Sequence, residues 1–189
     1  MGPVPPPIEG GISAYLDGLL RAPVAERYAF ETFDVRVADV YRRHRPLRAF
    51  LGLRFLARYS AHLRHTRAAL VHIHTSAHLG FWEKSLFGYL AARRGLPFVL
   101  HLHGGDFDRF VLGLQPRRRR LAARVFAAAG AVIVLSEAWR GLFDAWVAPE
   151  QLHVVPNAIH VADFPAATPG HDGDPVRLAC VGMISARAR

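Results

Sequence analysis

Short apolar runs alternate with helical stretches along most of this sequence. Ala69 to Thr75, Pro97 to His103, Ala131 to Leu135 and Leu152 to Val155 are brief and apolar at consecutive positions. A strand with one face in water would alternate instead. Between these runs lie Phe81 to Arg94, Arg117 to Ala129 and Glu137 to Trp146, which read as helices. The pattern predicts βαβ units, an α/β fold with a parallel sheet and helices on both faces. At 189 residues the chain supplies one ordinary domain and falls short of the roughly 250 residues of a TIM barrel. Its 51% apolar residues suffice for a buried core.

Local signals set the element ends. Arg93 and Arg94 suit the negative end of a helix dipole, Gly95 suits the left-handed residue after it, and Pro97 stops it. Pro116 suits a first helical turn. Ile12, Tyr15, Leu16, Leu19 and Leu20 repeat at helical spacing behind Gly10-Gly11. The strand expected before that helix is reduced to the stub Gly2-Pro3-Val4, so the chain is expected to begin inside its first strand. Tyr28 to Val35 is expected to be a strand and Arg42 to Arg67 a basic helix. Ala162 to Pro175, rich in proline and aspartate, reads as a linker, and Val176 to Val181 as a further strand. The expected organisation is a domain over 1–160, a linker over 161–175, and the first strand of a truncated second domain over 176–189.

Several function classes lose their signatures. No apolar run approaches the ~20 residues of a membrane span. Met1 to Pro7 lacks a secretory signal. Cys180, the one cysteine, excludes an internal disulfide and fits a reducing compartment. The net charge of +9 comes almost wholly from arginine, Lys84 being the single lysine. Such a balance suits an anionic partner, although arginine bias can also reflect genome composition. Nucleic acid is not expected, because no aromatic-basic interleaving or zinc-finger spacing occurs.

In open parallel sheets, ligands bind outside the carboxyl ends of the strands. Small and polar residues collect there: Gly10-Gly11, His74-Thr75-Ser76, His103-Gly104-Gly105-Asp106 and Ser136-Glu137. Gly10-Gly11 opens a helix, where bare amides suit a phosphate or form a plain tight turn. Neither G-x-G-x-x-G nor a P-loop is present. His103, at a strand rim, is expected to bond a sugar or other hydroxyl. A metal is the rival reading, since His72-x-His74 and His101-x-His103 are both H-x-H pairs. Metal hydrolases with that motif need further ligands downstream, so no metal is expected. His72 and His101 read equally as core histidines. Asp106 would orient His103, contact an acceptor or cap the next helix, capping foremost. Ser136 is a cap first and a ligand contact second. Arg45, Arg48, Arg54 and Arg58 lie beside Phe50, Phe55 and Leu56, suiting either an anionic membrane surface or a solvated helix face. Arg117 to Arg120 oppose the dipole at a helix start.

Four segments carry a resemblance: Pro5-Pro6-Pro7 to Gly10-Gly11, Leu100 to Asp106, Val132 to Ser136, and Val154-Val155-Pro156-Asn157-Ala158-Ile159. In this order they resemble the N-terminal half of family-4 (group 1) glycosyltransferases of the GT-B fold. The resemblance implies a Rossmann-like domain facing a second one across a cleft, the acceptor mainly on this half and a nucleotide-sugar donor mainly on the other. It implies retaining transfer with no cofactor and no metal, in the cytoplasm or peripherally at the inner face of the cell membrane, where several bacterial members act on lipid-linked acceptors. Gly10 and Gly11 would approach the donor diphosphate and His103 would contact the transferred sugar as the catalytic residue. Gly104, Asp106 and Ser136 would contact acceptor or sugar. Pro156-Asn157 would mark the exit into the linker. Ala158 stands where the family usually has glycine, and Met183 where an arginine commonly follows the second domain's glycine. The family's basic pair and paired glutamates would lie beyond Arg189, so the isolated chain is expected to show little or no turnover. The alternative is a non-catalytic Rossmann-like module that binds anionic lipid or a partner protein.

Overall fold

A computed structural model describes residues 10–35, 45–158 and 163. The chain divides into two units, 1–159 and 160–189, and the architecture below is that of the first. Four parallel strands form its sheet: β1 (Val71–Thr75), β2 (Phe98–Leu102), β3 (Ala131–Val134) and β4 (Leu152–Val154), in spatial order β1-β2-β3-β4. The helices are α1 (Gly10–Arg21), α2 (Val24–Arg27), α3 (Arg45–His65), α4 (Leu79–Ala92), α5 (Phe107–Leu112), α6 (Pro116–Ala128) and α7 (Glu137–Phe143). The α/β, Rossmann-like architecture expected from the alternating runs is the one observed.

Register makes the two sheet faces chemically different. Ile73 pairs with Leu100, Leu100 with Val132, and Val132 with Leu152, so these residues share one face. All four are buried. Against this face sit Phe81 and Phe87 of α4, Phe126 of α6 and Phe143 of α7, all within one apolar core. Rings of Phe81 and Phe126 lie 5.3 Å apart, and those of Phe126 and Phe143 5.5 Å. Gly88 lets α4 come close: a Cβ there would stand 2.9 Å from the Phe98 ring. The opposite face carries His72, His74, His101 and His103, and Tyr15 of α1 covers it.

The helix ends follow the local chemistry. Gly95 takes φ 72° after α4, and Pro116 occupies the first turn of α6. Ser136 caps α7, its hydroxyl accepting from the Trp139 N–H at 3.4 Å. The arginines that open α6 are exposed, and Arg119 lies 5.0 Å from the Trp146 ring centroid, a favourable cation–π contact.

Two expectations need correction. Tyr28 to Val35 forms no ladder strand, only an isolated bridge at Asp34. Its alternation is met by packing instead: Phe33 contacts Tyr59 at 5.2 Å between ring centroids, and Val35 joins the core. Asp106 does occupy the cap position of α5, but its side chain makes no capping hydrogen bond. Its backbone carbonyl accepts from Phe110, and its carboxylate turns out to solvent, 3.9 Å from Arg109. The stub at 2–4, the linker at 162–175 and the strand at 176–181 lie outside the described residues, apart from Asp163.

Candidate functional site

The carboxyl ends of β1, β2 and β3 open onto a cleft of about 580 Å³. Gly11, Ser76, His103, Gly104, Ser136 and Asn157 line it, with Trp139 beside them. They come from five separate segments of the chain. Gly11 belongs to the first turn of α1, Ser76 and His103 follow β1 and β2, and Ser136 follows β3.

His103 is anchored at both ends. Its backbone N–H donates to the Thr75 carbonyl at 2.8 Å, extending the β1–β2 ladder by one residue. Its Nε2 lies 3.0 Å from His74 Nδ1, and the residue is only 4% exposed. Burial pushes its pKa down to about 4, so the ring is neutral near pH 7. Gly104 then takes φ 94°, a left-handed turn that a side chain would strain, and swings the backbone across the rim.

Gly10 and Gly11 start a helix of 12 residues, and a Cβ at either would meet only open space. Neither residue carries a side chain of its own beside these amides, and the helix dipole favours an anion at that end. The Ser136 hydroxyl accepts from Trp139, which leaves its proton available to a ligand.

The cleft brings together Gly11, His103, Gly104 and Ser136. Gly10 stands one residue back from the wall, and Asp106 lies on α5's exposed shoulder rather than in the lining. Arg54 and Arg58 are exposed on α3. Arg45 and Arg48 fall at the start of α3, where only the helical backbone is described. Trp139 and Tyr15 were not singled out for function by sequence reading. Trp139 could have been found as the residue three after a capping serine, which places it on the same rim. Tyr15 looked like an ordinary core position of an amphipathic helix.

A Rossmann-like α/β domain whose strand ends form a cleft with a few polar groups is a class of binding scaffold that many chemistries use. The family comparison narrows it. A family model described as glycosyl transferase 4-like domain matches residues 11–158, and the chain belongs to that family. Comparison with curated proteins and with solved structures returned no match. No helix among the described residues is long and apolar enough to cross a membrane.

Proposed function

We propose that this domain is the acceptor-side half of a retaining glycosyltransferase, moving a sugar from a nucleotide-sugar to a sugar or lipid-linked acceptor. The observation that carries the reading is the single cleft that joins the start of α1 to His103 and Ser136. Transfer needs charge stabilised on the departing diphosphate and a fixed placement of donor against acceptor. The side-chain-free amides of Gly10 and Gly11 at the start of α1 suit the diphosphate. A neutral His103 donates to, or accepts from, a hydroxyl of the transferred sugar. Ser136 offers its proton to the same ligand, and Gly104 keeps side-chain bulk off the rim. Asp106, exposed at the start of α5 next to the lining residue Gly105, suits a contact with the acceptor.

Saturation-transfer NMR on the full chain tests this reading with UDP-glucose and GDP-mannose as probes. The sugar protons are expected to receive saturation from the protein. Loss of one sugar hydrogen bond in His103→Ala is expected to weaken binding by about tenfold. Equal transfer in His103→Ala would remove the sugar contact from His103, and no transfer to either probe would remove the diphosphate and sugar contacts from this half's cleft.

The basic helix supports a peripheral position at the cytoplasmic face of an anionic membrane. Arg54 and Arg58 are exposed near Leu53, which is 67% exposed, and the Arg58 guanidinium sits 5.7 Å from the Phe55 ring. Each basic residue near such a surface contributes about 1 kcal/mol. The Arg54→Gln/Arg58→Gln pair is therefore expected to cut co-sedimentation with phosphatidylglycerol vesicles by about tenfold or more, and to leave neutral vesicles unaffected. Unchanged binding to the anionic vesicles would remove the membrane role from this helix.

A further inference from the structure

The histidine face of the sheet holds more imidazoles than the transfer reading uses. His74 and His101 are register partners on neighbouring strands, and His72 and His103 lie two residues from them on the same face. The rings crowd together: His72 to His74 is 4.3 Å between centroids, His74 to His101 5.1 Å, and His72 to His101 5.4 Å with planes only 3° apart. His74 is 1% exposed and His101 is fully buried. Inside a core, each ring nitrogen needs a partner or carries a desolvation penalty. His74 Nδ1 is satisfied by His103, but His74 Nε2 and both ring nitrogens of His101 have no hydrogen-bond partner among the described residues.

One nitrogen from each of His72, His74 and His101 lies within 4.8 Å of the other two. Zinc bonds imidazole nitrogen at about 2.0–2.1 Å, so tetrahedral ligands stand about 3.4 Å from one another. Closing that gap requires the imidazole rings, above all the near-parallel His72 and His101, to turn about χ2.

We propose that His72, His74 and His101 form a binding site for one divalent transition ion of the zinc type. Three imidazoles with no thiolate suit zinc, copper or nickel rather than magnesium or calcium. The set leaves one coordination position open. His74 then binds through Nε2 and donates its Nδ1–H to His103 Nε2, the usual way in which a ligand histidine is oriented from behind. That bond also fixes His103 in the tautomer with its proton on Nδ1. The site is distinct from the cleft, whose lining includes His103 but none of the three ligands. The proposal concerns ion binding alone and stands whether or not the chain transfers a sugar.

The test uses the untagged full chain, stripped with chelator and titrated with zinc chloride by calorimetry. One equivalent is expected to bind. Both His74→Gln and His101→Gln are expected to weaken it by at least about tenfold, and the exposed His153→Gln to leave it unchanged. X-ray absorption at the zinc edge of the wild-type chain provides a readout that does not depend on variants folding. It is expected to show imidazole nitrogens at about 2.0 Å. Failure to bind zinc, binding that survives in both variants, or a zinc shell without imidazole scattering would overturn the site.

Discussion

Phe126→Ala is expected to lower the unfolding free energy by about 3–5 kcal/mol, the largest loss for any single side chain of α6. Phe126 is fully buried and stands at the meeting point of three helices. Its ring lies 5.3 Å from Phe81 of α4, 5.5 Å from Phe143 of α7 and 6.0 Å from Trp146. Truncation leaves a void bounded by rigid aromatic rings, which collapse poorly into empty space. The lost transfer energy and the residual cavity therefore add. Against a typical total of about 5–15 kcal/mol, such a loss removes a large share of the stability. Urea denaturation should show a lower midpoint at constant slope. Phe126→Leu, which keeps most of the volume, should lose much less. A cost below about 1 kcal/mol for the alanine variant would mean that the packing around residue 126 is not as described.

Acid is expected to unfold the chelator-treated protein from about pH 6.5 downward, well before carboxylates titrate. The cause is the same imidazole face. Burial presses the pKa of His72 down to about 4, with His103 adding to the effect, and burial alone brings His103 to about 4. Burial also lowers His101 and His74, further still, with neighbouring histidines contributing. All four are neutral in the fold. An unfolded chain takes up protons at each of them near pH 6.5, and the folded chain does not. Stability is thus fully present above the unfolded value and falls as pH drops from 6.5 toward 4. Each histidine that gains a proton only on unfolding contributes a slope of about 1.4 kcal/mol per pH unit in that window. Thermal melts at pH 7.5, 6 and 5 measure it. His101→Gln should flatten the dependence even if it lowers the stability at pH 7.5. A melting temperature independent of pH across that range would contradict the buried neutral rings.

The strands and long helices were legible because burial on both sides of a parallel sheet leaves continuous apolar runs. Val132-Ile133-Val134 and Phe98-Val99-Leu100 could hardly be anything else next to Gly130 and Pro97. The rim was legible for the same reason: a strand that ends in glycine, serine or histidine advertises its open end. Tyr28 to Val35 misled because period-two alternation records which side is buried, not which backbone groups are paired. Packing of Phe33 on α3 satisfies that pattern without a ladder. Asp106 misled because a cap position and a cap hydrogen bond are separate facts. α2 was invisible, since four residues carry too little periodicity. The convergence of four imidazoles was half visible. Each H-x-H pair showed alternation onto one face of its own strand, but only the register of β1 against β2 puts the two pairs side by side.

Each strand of this sheet pairs with the one made just before it. Among the described strands, a nascent chain leaving the ribosome therefore never holds a finished one in wait for a distant mate. Once β1 and β2 have emerged they can zip together, β3 joins their free margin, and β4 closes the seam last. Growth of the layer in the direction of synthesis keeps each newly exposed apolar margin short-lived, which is when such margins are most prone to aggregate.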